Sequence, residues 1–210
     1  MIFEPTGLAG LCVVRPVKRA DSRGFFARLW CAEAFAAAGL DFVPRQISAS
    51  FNREAGTLRG LHWQAAPHGE TKLVRATRGR IWDVAVDLRA GSPTRWAWFG
   101  LELHAPEHVA LLIPPGFAHG FVTLSDDAEV LYCIDTPYVP QAACGARFDD
   151  PAFGVGWPRA PAVVADRDLQ WPAVSGLPHD LFPIARQAGD GDEMARIGVS
   201  DERKKPLVPP

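Results

Sequence analysis

Six titratable side chains that suit acid–base chemistry are spread widely along the chain. Histidine and carboxylate groups can remove a proton, and tyrosine or lysine can return one or stabilise an anion. Each of the six also has a simpler interpretation, such as a core tyrosine with a satisfied hydroxyl, a solvated lysine or an aspartate in a turn. In chain order they are His62, Lys72, Asp83, His119, Tyr132 and Asp168.

His62 lies in the stretch Gly56–Gln64, which reads Gly-Thr-Leu-Arg-Gly-Leu-His-Trp-Gln. Its alternation predicts a strand with Leu61 and Trp63 on the core face and His62 and Gln64 on the other. Such a strand can turn its polar face to a ligand cavity, and the glycine two places before the histidine allows close approach to the backbone. A half-buried strand with a structural histidine fits the same pattern.

A metal site is the first hypothesis to compare with this pattern. Metal-binding jelly rolls of the cupin type carry His-x-His on one strand, then a carboxylate and a later histidine. This chain has His62-Trp63-Gln64 instead, and glutamine is a poor ligand for zinc or iron. The segment Pro115-Gly116-Phe117-Ala118-His119 does match the second half of that pattern. We therefore expect a related fold with a histidine-containing pocket, no metal and no other cofactor.

Several other functional classes lack their signatures. The chain contains no Gly-x-Ser-x-Gly segment, no glycine-rich dinucleotide fingerprint and no phosphate-binding loop. A formal net charge of -2 gives no basic excess for nucleic acid. The four cysteines have no zinc-type spacing, which favours free thiols in a reducing compartment. With no signal peptide and no apolar run of the roughly 20 residues that span a bilayer, we expect a cytoplasmic protein with no membrane partner.

The elements that position these side chains are predicted to be mostly strands. Nineteen glycines and nineteen prolines separate short apolar runs, which predicts about ten short strands joined by turns. In the clearest strand, Arg80–Leu88, Asp83 and Asp87 share one face, as at a solvent edge or in a polar pocket lining. One helix is predicted over Ala32–Leu40, which is rich in alanine and ends near Gly39.

These features predict an all-β protein, a jelly-roll (cupin-like) β-sandwich or barrel with a few short helices. Residues 1–183 are predicted to form a single domain. Residues 184–210 form a polar tail that is expected to be a short helix or mobile. Most of the seven tryptophans are expected in the core. They are Trp30, Trp63, Trp82, Trp96, Trp98, Trp157 and Trp171.

Many dispersed motifs occur in one order along the chain. They are Asp21-x-Arg-Gly-Phe-Phe, Gly56-Thr-Leu-Arg-Gly-Leu-His-Trp-Gln, Lys72-Leu-Val-Arg, Asp83-Val-Ala-Val-Asp-Leu-Arg, Ser92-Pro-Thr, Ile113-Pro-Pro-Gly-Phe-Ala-His-Gly-Phe, Tyr132, Tyr138-x-Pro, Asp149-Asp-Pro and Trp157-Pro. This series resembles the dTDP-4-dehydrorhamnose 3,5-epimerase family over roughly residues 1–172. The tail lies outside the resemblance.

The resemblance implies a metal-free, cupin-like homodimer in deoxysugar and polysaccharide biosynthesis. Its substrate would be a nucleoside-diphosphate 4-keto-6-deoxysugar. A 4-keto group acidifies the hydrogens on carbons 3 and 5, so a base can remove one of them and form an enolate. An acid then returns a proton to the opposite face of the sugar, which requires two groups on opposite sides.

By matching positions, the resemblance assigns His62 as the base and Tyr132 as the acid on the opposite face. Asp168 would accept a hydrogen bond from the other ring nitrogen of His62, fixing its tautomer. Lys72 would place a positive charge near the enolate oxygen.

The resemblance also implies a set of substrate-binding residues. Arg59 and His119 are expected near the diphosphate and sugar, and Tyr138 against the nucleobase. Arg23 belongs to an N-terminal segment that is expected to enter the partner subunit's site. The full set is Arg23, Phe26, Arg28, Gln46, Ser48, Arg59, His119 and Tyr138.

Three positions depart from the family pattern. Arg28 stands where the family usually has glutamate, Ser48 where it has asparagine, and Ala143 where a later glutamate is expected. All three concern substrate binding, and none belongs to the acid–base set. The resemblance therefore leaves the nucleotide base and the sugar open.

Two other functions stay open at this point. The same fold with a histidine base would serve a ketoisomerase on a related nucleotide sugar, although an acid at Tyr132 favours epimerisation. A non-catalytic cupin-like sugar-binding protein would not need His62, Lys72 and Tyr132 together.

Overall fold

The computed structural model describes residues 1–176, which form two β-sheets packed as a sandwich. This architecture confirms the predicted all-β jelly-roll class. The two short α-helices are α1 (Ala32–Ala37) and α2 (Asp166–Leu169). The strands are β1 (Ile2–Pro5), β2 (Cys12–Arg15), β3 (Lys18–Asp21), β4 (Gly24–Ala27), β5 (Gln46–Asn52), β6 (Thr57–Gln64), β7 (Lys72–Arg78), β8 (Arg80–Asp87), β9 (Trp98–His104), β10 (Ala110–Ile113), β11 (Phe117–Thr123), β12 (Ala128–Ile134), β13 (Ala143–Gly145) and β14 (Val163–Val164).

The strands are arranged in two main sheets and a separate hairpin. The first sheet has the order β1-β2-β10-β7-β12-β5, and the second has the order β13-β6-β11-β8-β9. The short strand β14 runs parallel to β6, and β3 pairs with β4 in the hairpin. Strands β6 and β11 of the second sheet face β7 and β12 of the first across the sandwich, since Lys72 reaches His62 and Tyr132 contacts His119.

The core lies between the sheets and is extended on both outer faces. Val74 and Val130 of the first sheet pack with Ile81 and Phe121 of the second, all four nearly inaccessible to solvent. On the outside of the second sheet, the chain from Ala146 onward covers a cluster that includes both tryptophans of β6 and β9. On the outside of the first sheet, α1 contributes one buried phenylalanine to a third cluster. Burial of this apolar surface stabilises the packing of the two sheets against each other.

The alternation predicted for the two clearest strands is confirmed. Leu61 and Trp63 of β6 are buried in the outer cluster, while His62 points to the cavity described below. In β8, the two aspartates share a face with residues of the central core. Asp87 lines neither solvent nor a pocket, because its buried carboxylate accepts hydrogen bonds from Arg89 and from two hydroxyl groups of the following turn.

Some element boundaries differ from the prediction. Helix α1 ends at Ala37 rather than at Leu40, since Gly39 adopts φ +71°, a left-handed conformation that terminates a helix. The apolar run Trp96–Leu103 predicts a strand, but the corresponding strand β9 begins at Trp98 because Trp96 has φ 70°. Residues 1–176 contain 14 strands, more than the predicted number of about ten. Short paired segments such as β1, β13 and β14 were not predicted, because they show little alternation of apolar and polar residues.

The predicted tail, residues 184–210, and the predicted domain end at residue 183 lie outside the described residues. None of the helices within residues 1–176 is long and apolar enough to cross a membrane.

Candidate active site

A cavity of about 820 Å³ is lined by residues of both sheets and by the segment that carries α2. Its walls come mainly from β5, β7 and β12 of the first sheet and from β6 and β11 of the second. The cavity brings together nine of the residues predicted from the sequence: Gln46, Ser48, Arg59, His62, Lys72, His119, Tyr132, Tyr138 and Asp168.

A histidine–aspartate pair lies on the wall formed by the second sheet. His62 Nε2 is 2.6 Å from Asp168 Oδ1, and the other carboxylate oxygen accepts the Gly60 amide at 3.2 Å. Trp171 Nε1 donates a third hydrogen bond, at 3.2 Å, to Oδ1. Burial acts to raise the pKa of Asp168, but the hydrogen bonds from His62, Gly60 and Trp171 outweigh it and lower the pKa below its ordinary value. The carboxylate therefore stays ionised beside the imidazole.

Two glycines allow this pair to form. A Cβ on Gly60 would lie 2.5 Å from the Gly120 Cα of the neighbouring strand, so that the close approach of β6 and β11 requires glycine. A Cβ on Gly145, the partner of His62 in β13, would lie 2.2 Å from Cε2 of the Trp171 ring. Glycine is needed at both positions so that the Gly60 amide and the Trp171 indole can reach the Asp168 carboxylate.

Tyr132 lies on the opposite wall, on β12 of the first sheet. Its hydroxyl is 3.1 Å from Ser50 Oγ, and its ring packs edge-on against His119. Burial raises the pKa of Tyr132 well above its ordinary value; hydrogen bonding to Ser50 opposes this rise, and the nearby charge of Asp83 adds to it. The phenol is therefore protonated at neutral pH and available as a proton donor.

Lys72 supplies a buried positive charge between the two walls. Its Nζ is 2.9 Å from Glu70 Oε1, and both side chains are at most one-tenth exposed. The same Nζ is 3.4 Å from the carbonyl oxygen of His62, across the sandwich. The ammonium thus lies close to the strand that carries the histidine.

A second histidine–aspartate pair is buried beside the first. His119, the partner of His62 in the adjacent strand, has Nε2 at 2.7 Å from Asp83 Oδ1. The other oxygen of Asp83 has no hydrogen-bond partner and is buried. Asp83 is therefore a support for His119 rather than a separate group that lines the cavity.

The remaining predicted residues divide into two groups. Arg59 reaches the cavity with its Nε held at 2.7 Å by Asn52 Oδ1, and Tyr138 is 55% exposed at the rim. The structure does not bring Arg23, Phe26 or Arg28 to this cavity. Arg23 pairs with Asp21 in the turn of the β3–β4 hairpin, whereas Phe26 and Arg28 line a separate cavity of about 300 Å³.

The metal hypothesis gains no support from the described part of the chain. Within residues 1–176, no three His, Cys, Asp or Glu side chains are grouped as a metal would require. Gln64, which stands at the second histidine position of metal cupins, is buried and hydrogen-bonded to protein groups. The absence of a metal stays a prediction.

Three residues that shape the site were missed by sequence reasoning. Ser50 shares the parity of Gln46 and Ser48 in β5, so the alternation did carry a signal for it. Glu70 also had a signal, because it is an acidic residue only two positions before Lys72. Trp171 had none, since its contact with Asp168 depends on how the segment after β14 folds back onto β6.

A β-sandwich cavity with a histidine–aspartate pair on one wall and a protonated tyrosine on the other defines an acid–base enzyme of the cupin-like type. Comparison with known proteins agrees. The sequence profile of the dTDP-4-dehydrorhamnose 3,5-epimerase family matches residues 5–175. The chain belongs to this family, which confirms the resemblance and the assignment as an epimerase.

Three relatives illustrate the match. The dTDP-4-dehydrorhamnose 3,5-epimerase of Sinorhizobium fredii is 38% identical over 179 residues, which cover 85% of this chain and 92% of the relative. The crystal structure of a Legionella pneumophila 3,5-epimerase in complex with dTDP-4-keto-L-rhamnose has a TM-score of 0.82 at 31% identity, covering 89% of this chain and 99% of that one. A 3'-monoepimerase from Streptomyces bikiniensis, in complex with dTDP-quinovose, has a TM-score of 0.76 at 31% identity, covering 82% and 87%.

Proposed function

We propose that this epimerase acts on a nucleoside-diphosphate 4-keto-6-deoxyhexose and inverts carbon 3, carbon 5 or both during deoxysugar biosynthesis. The observation that carries the proposal is the placement of His62, paired with Asp168, on one wall of the cavity and of Tyr132 on the facing wall. Proton removal and return from opposite faces of a sugar needs this arrangement.

His62 acts as the base. Because the carboxylate of Asp168 can only accept, the hydrogen of the imidazole lies on Nε2 and leaves Nδ1 as the basic nitrogen. Nδ1 removes the proton from the carbon beside the keto group, and the released electron pair forms the C–C double bond of the enolate. The negative charge then resides on the oxygen of carbon 4, where the buried ammonium of Lys72 stabilises it.

Tyr132 acts as the acid. Its hydroxyl donates a proton to the opposite face of the same carbon, and the electron pair of the enolate forms the new C–H bond. The buried site that raises the pKa of this phenol keeps it protonated until the enolate forms. Ser50 Oγ, at 3.1 Å, holds the hydroxyl in position.

The reaction is tested by incubating the purified protein with a dTDP-linked 4-keto-6-deoxyhexose in D₂O and following the product by NMR. We expect inverted product with deuterium at carbon 3, at carbon 5 or at both, and the pattern identifies a 3- or a 3,5-epimerase. A change in the position of the keto group would instead identify a ketoisomerase. A substrate that is bound but returns with no deuterium would identify a binding protein.

The nucleotide half of the substrate is proposed to lie near Tyr138, with Arg59 near the diphosphate. Ser48 and Ala143 line the same cavity with small side chains where the family has larger polar ones. The carrier is identified by thermal-shift measurements with dTDP, UDP, CDP and GDP, because a ligand that binds the folded state raises its melting temperature. Since the relatives named above bind dTDP sugars, we expect dTDP to give the largest shift.

We also propose a homodimer in the cytoplasm. The β3–β4 hairpin leaves Phe25 and Phe26 exposed, and exposed paired aromatics are typical of surfaces that another chain covers. Exchange of this segment would bring Arg23, Phe26 and Arg28 to the partner's cavity. Sedimentation of the wild type and of Phe26→Ser tests the assembly: a dimer that the substitution dissociates supports the proposal, and a monomeric wild type contradicts it.

A further inference from the structure

The amide of Gln64 connects two parts of the cavity that are far apart in sequence. This side chain is 2% exposed, and all its hydrogen-bonding groups are engaged. Its Nε2 is 3.0 Å from Glu70 Oε2, 3.2 Å from the carbonyl oxygen of Pro137 and 3.3 Å from that of His68. Its Oε1 accepts the backbone amide of Val139 at 2.6 Å.

On one side, this amide determines the direction of Glu70. The two carboxylate oxygens of Glu70 are divided between Gln64 and Lys72, at 3.0 Å and 2.9 Å. A lysine ammonium is a point charge on a flexible stem, so its position depends on the partner that holds it. Gln64 therefore controls the position of the Lys72 charge through Glu70.

On the other side, this amide holds the backbone immediately before and after Tyr138. The Pro137 carbonyl and the Val139 amide are both bonded to Gln64, while the Tyr138 side chain lies half-exposed at the cavity rim. The following 3-10 turn, Pro140–Ala142, adds no side-chain cap of its own. The direction of the Tyr138 ring thus depends on the amide of Gln64.

We propose that Gln64 is a positioning residue that holds both the Lys72 charge and the Tyr138 segment in the geometry that the reaction requires. The inference rests on the proposed function, in which these two groups meet the keto oxygen and the nucleotide. One buried amide then sets the distance between the reacting carbon and the part of the site that anchors the nucleotide.

Glutamine is suited to this position because the site needs donors and an acceptor at once. A neutral imidazole offers one donor and one acceptor, and a carboxylate offers no donor and would repel Glu70. A leucine would leave the Val139 amide, the Pro137 carbonyl and one Glu70 oxygen without their partner. The position that holds a ligand in metal cupins therefore has a structural use here that a histidine cannot fulfil.

The test compares Gln64→Leu, Glu70→Gln and Tyr138→Ala with the wild type, measuring kcat with the dTDP-linked 4-keto-6-deoxyhexose and the Kd of dTDP. We expect Gln64→Leu to lower kcat and to weaken dTDP binding, each by about tenfold or more. Glu70→Gln should lower kcat and leave the Kd of dTDP within about twofold. In the double variant Gln64→Leu/Tyr138→Ala, the Kd of dTDP should be no larger than the larger of the two single-variant values. Both substitutions act on dTDP binding through the Tyr138 ring, so their effects should not add.

The control is Thr77→Val on β7, the strand that carries Lys72, at a position outside the cavity. It removes a hydrogen bond of 2.6 Å to Glu129 of β12. It should change neither kcat nor Kd. If Gln64→Leu does not fold, the nearly isosteric Gln64→Glu decides, because it keeps the size of the side chain but loses the donors to Glu70 and Pro137. A lower kcat and a larger Kd of dTDP support the inference, and unchanged values of both overturn it.

Two results overturn different statements. A Gln64→Leu protein that keeps both kcat and Kd within about twofold of the wild type overturns the positioning role. A Tyr138→Ala protein with unchanged dTDP affinity overturns the proposed place of the nucleobase and, with it, the Tyr138 half of the inference. The effect of Gln64→Leu on kcat then decides the Lys72 half alone.

Discussion

Replacing Asp168 by asparagine is the most informative single change at the His62 wall. The carboxylate receives three donors: His62 Nε2 and Trp171 Nε1 on Oδ1, and the Gly60 amide on Oδ2. An asparagine has one oxygen and one NH₂ group in the same place. In either orientation of the amide, its NH₂ faces at least one group that is itself a donor, so a buried conflict is unavoidable.

The magnitude follows from the bond that is lost. A hydrogen bond to a charged group contributes about 1.5–3 kcal/mol, and every 1.36 kcal/mol corresponds to a factor of ten in rate. Loss of the negative charge beside the imidazolium that forms in the reaction should lower kcat by about 10- to 150-fold. If the asparagine NH₂ faces His62, Nε2 must accept its hydrogen bond, and the imidazole hydrogen moves to Nδ1. Nδ1 can then no longer act as the base, so the loss of kcat should reach or exceed the upper end of this range.

The stability of Asp168→Asn should depend on pH in a defined direction. Because the pKa of Asp168 is lowered by folding, the ionised carboxylate stabilises the wild type fully above the unfolded pKa of about 3.9. This contribution is lost as the pH falls through the lower, folded pKa. The difference in melting temperature between the two proteins should therefore be largest near neutrality and shrink toward about pH 3.

The assay is the initial rate of epimerisation at saturating substrate, with melting curves at each pH. The matched control is Asp166→Asn, an exposed aspartate on the same short helix, which should keep wild-type kcat and stability. An Asp168→Asn protein with kcat within about threefold of the wild type would refute the role of this carboxylate, since even the weakest charged hydrogen bond predicts about tenfold.

Three further predictions concern the supports of the site and of the fold. Gly145→Ala should lower kcat and shift tryptophan fluorescence, because its Cβ would lie 2.2 Å from the Trp171 ring; unchanged values of both would contradict this packing. Asp87→Ala should destabilise the protein by about 3–5 kcal/mol in urea unfolding, because it leaves the Arg89 guanidinium without its buried carboxylate. The kcat of the folded fraction should be unchanged, and a loss below 1 kcal/mol would refute the ion pair. Ser50→Ala should lower kcat less than tenfold, because it removes one neutral hydrogen bond from the reacting phenol, and a larger loss would show that the serine itself transfers the proton.

The alternation of apolar and polar residues along the chain predicted which face of a strand is buried. The cavity side of β6 and the two faces of β8 follow directly from which residues are apolar. Asp87 shows the limit of that reasoning. Its place on a face was predicted, but its partners belong to the next turn, where Ser92 and Thr94 close onto it.

Contacts between distant segments could not be derived from residue patterns alone. His62 and Asp168 are 106 positions apart, and only the resemblance to a family connected them before the structure did. Trp171 was expected in the core because of its type, yet its indole donates a hydrogen bond to the Asp168 carboxylate in the cavity. Gln64 was interpreted only as a replacement for a metal-ligating histidine, whereas its side chain bonds to Glu70 and to backbone groups near Tyr138, which no sequence pattern indicates.

The central claim is that proton removal and proton return are divided between two facing walls. The most direct measurement is deuterium incorporation from D₂O into the dTDP-linked 4-keto-6-deoxyhexose by the wild type, His62→Ala and Tyr132→Phe. The account predicts inversion with deuterium for the wild type and no incorporation for His62→Ala. It predicts slow incorporation with retained configuration for Tyr132→Phe, since His62 can return a solvent deuteron to the face it deprotonates. Full incorporation by His62→Ala, or inversion at the wild-type rate by Tyr132→Phe, would contradict it.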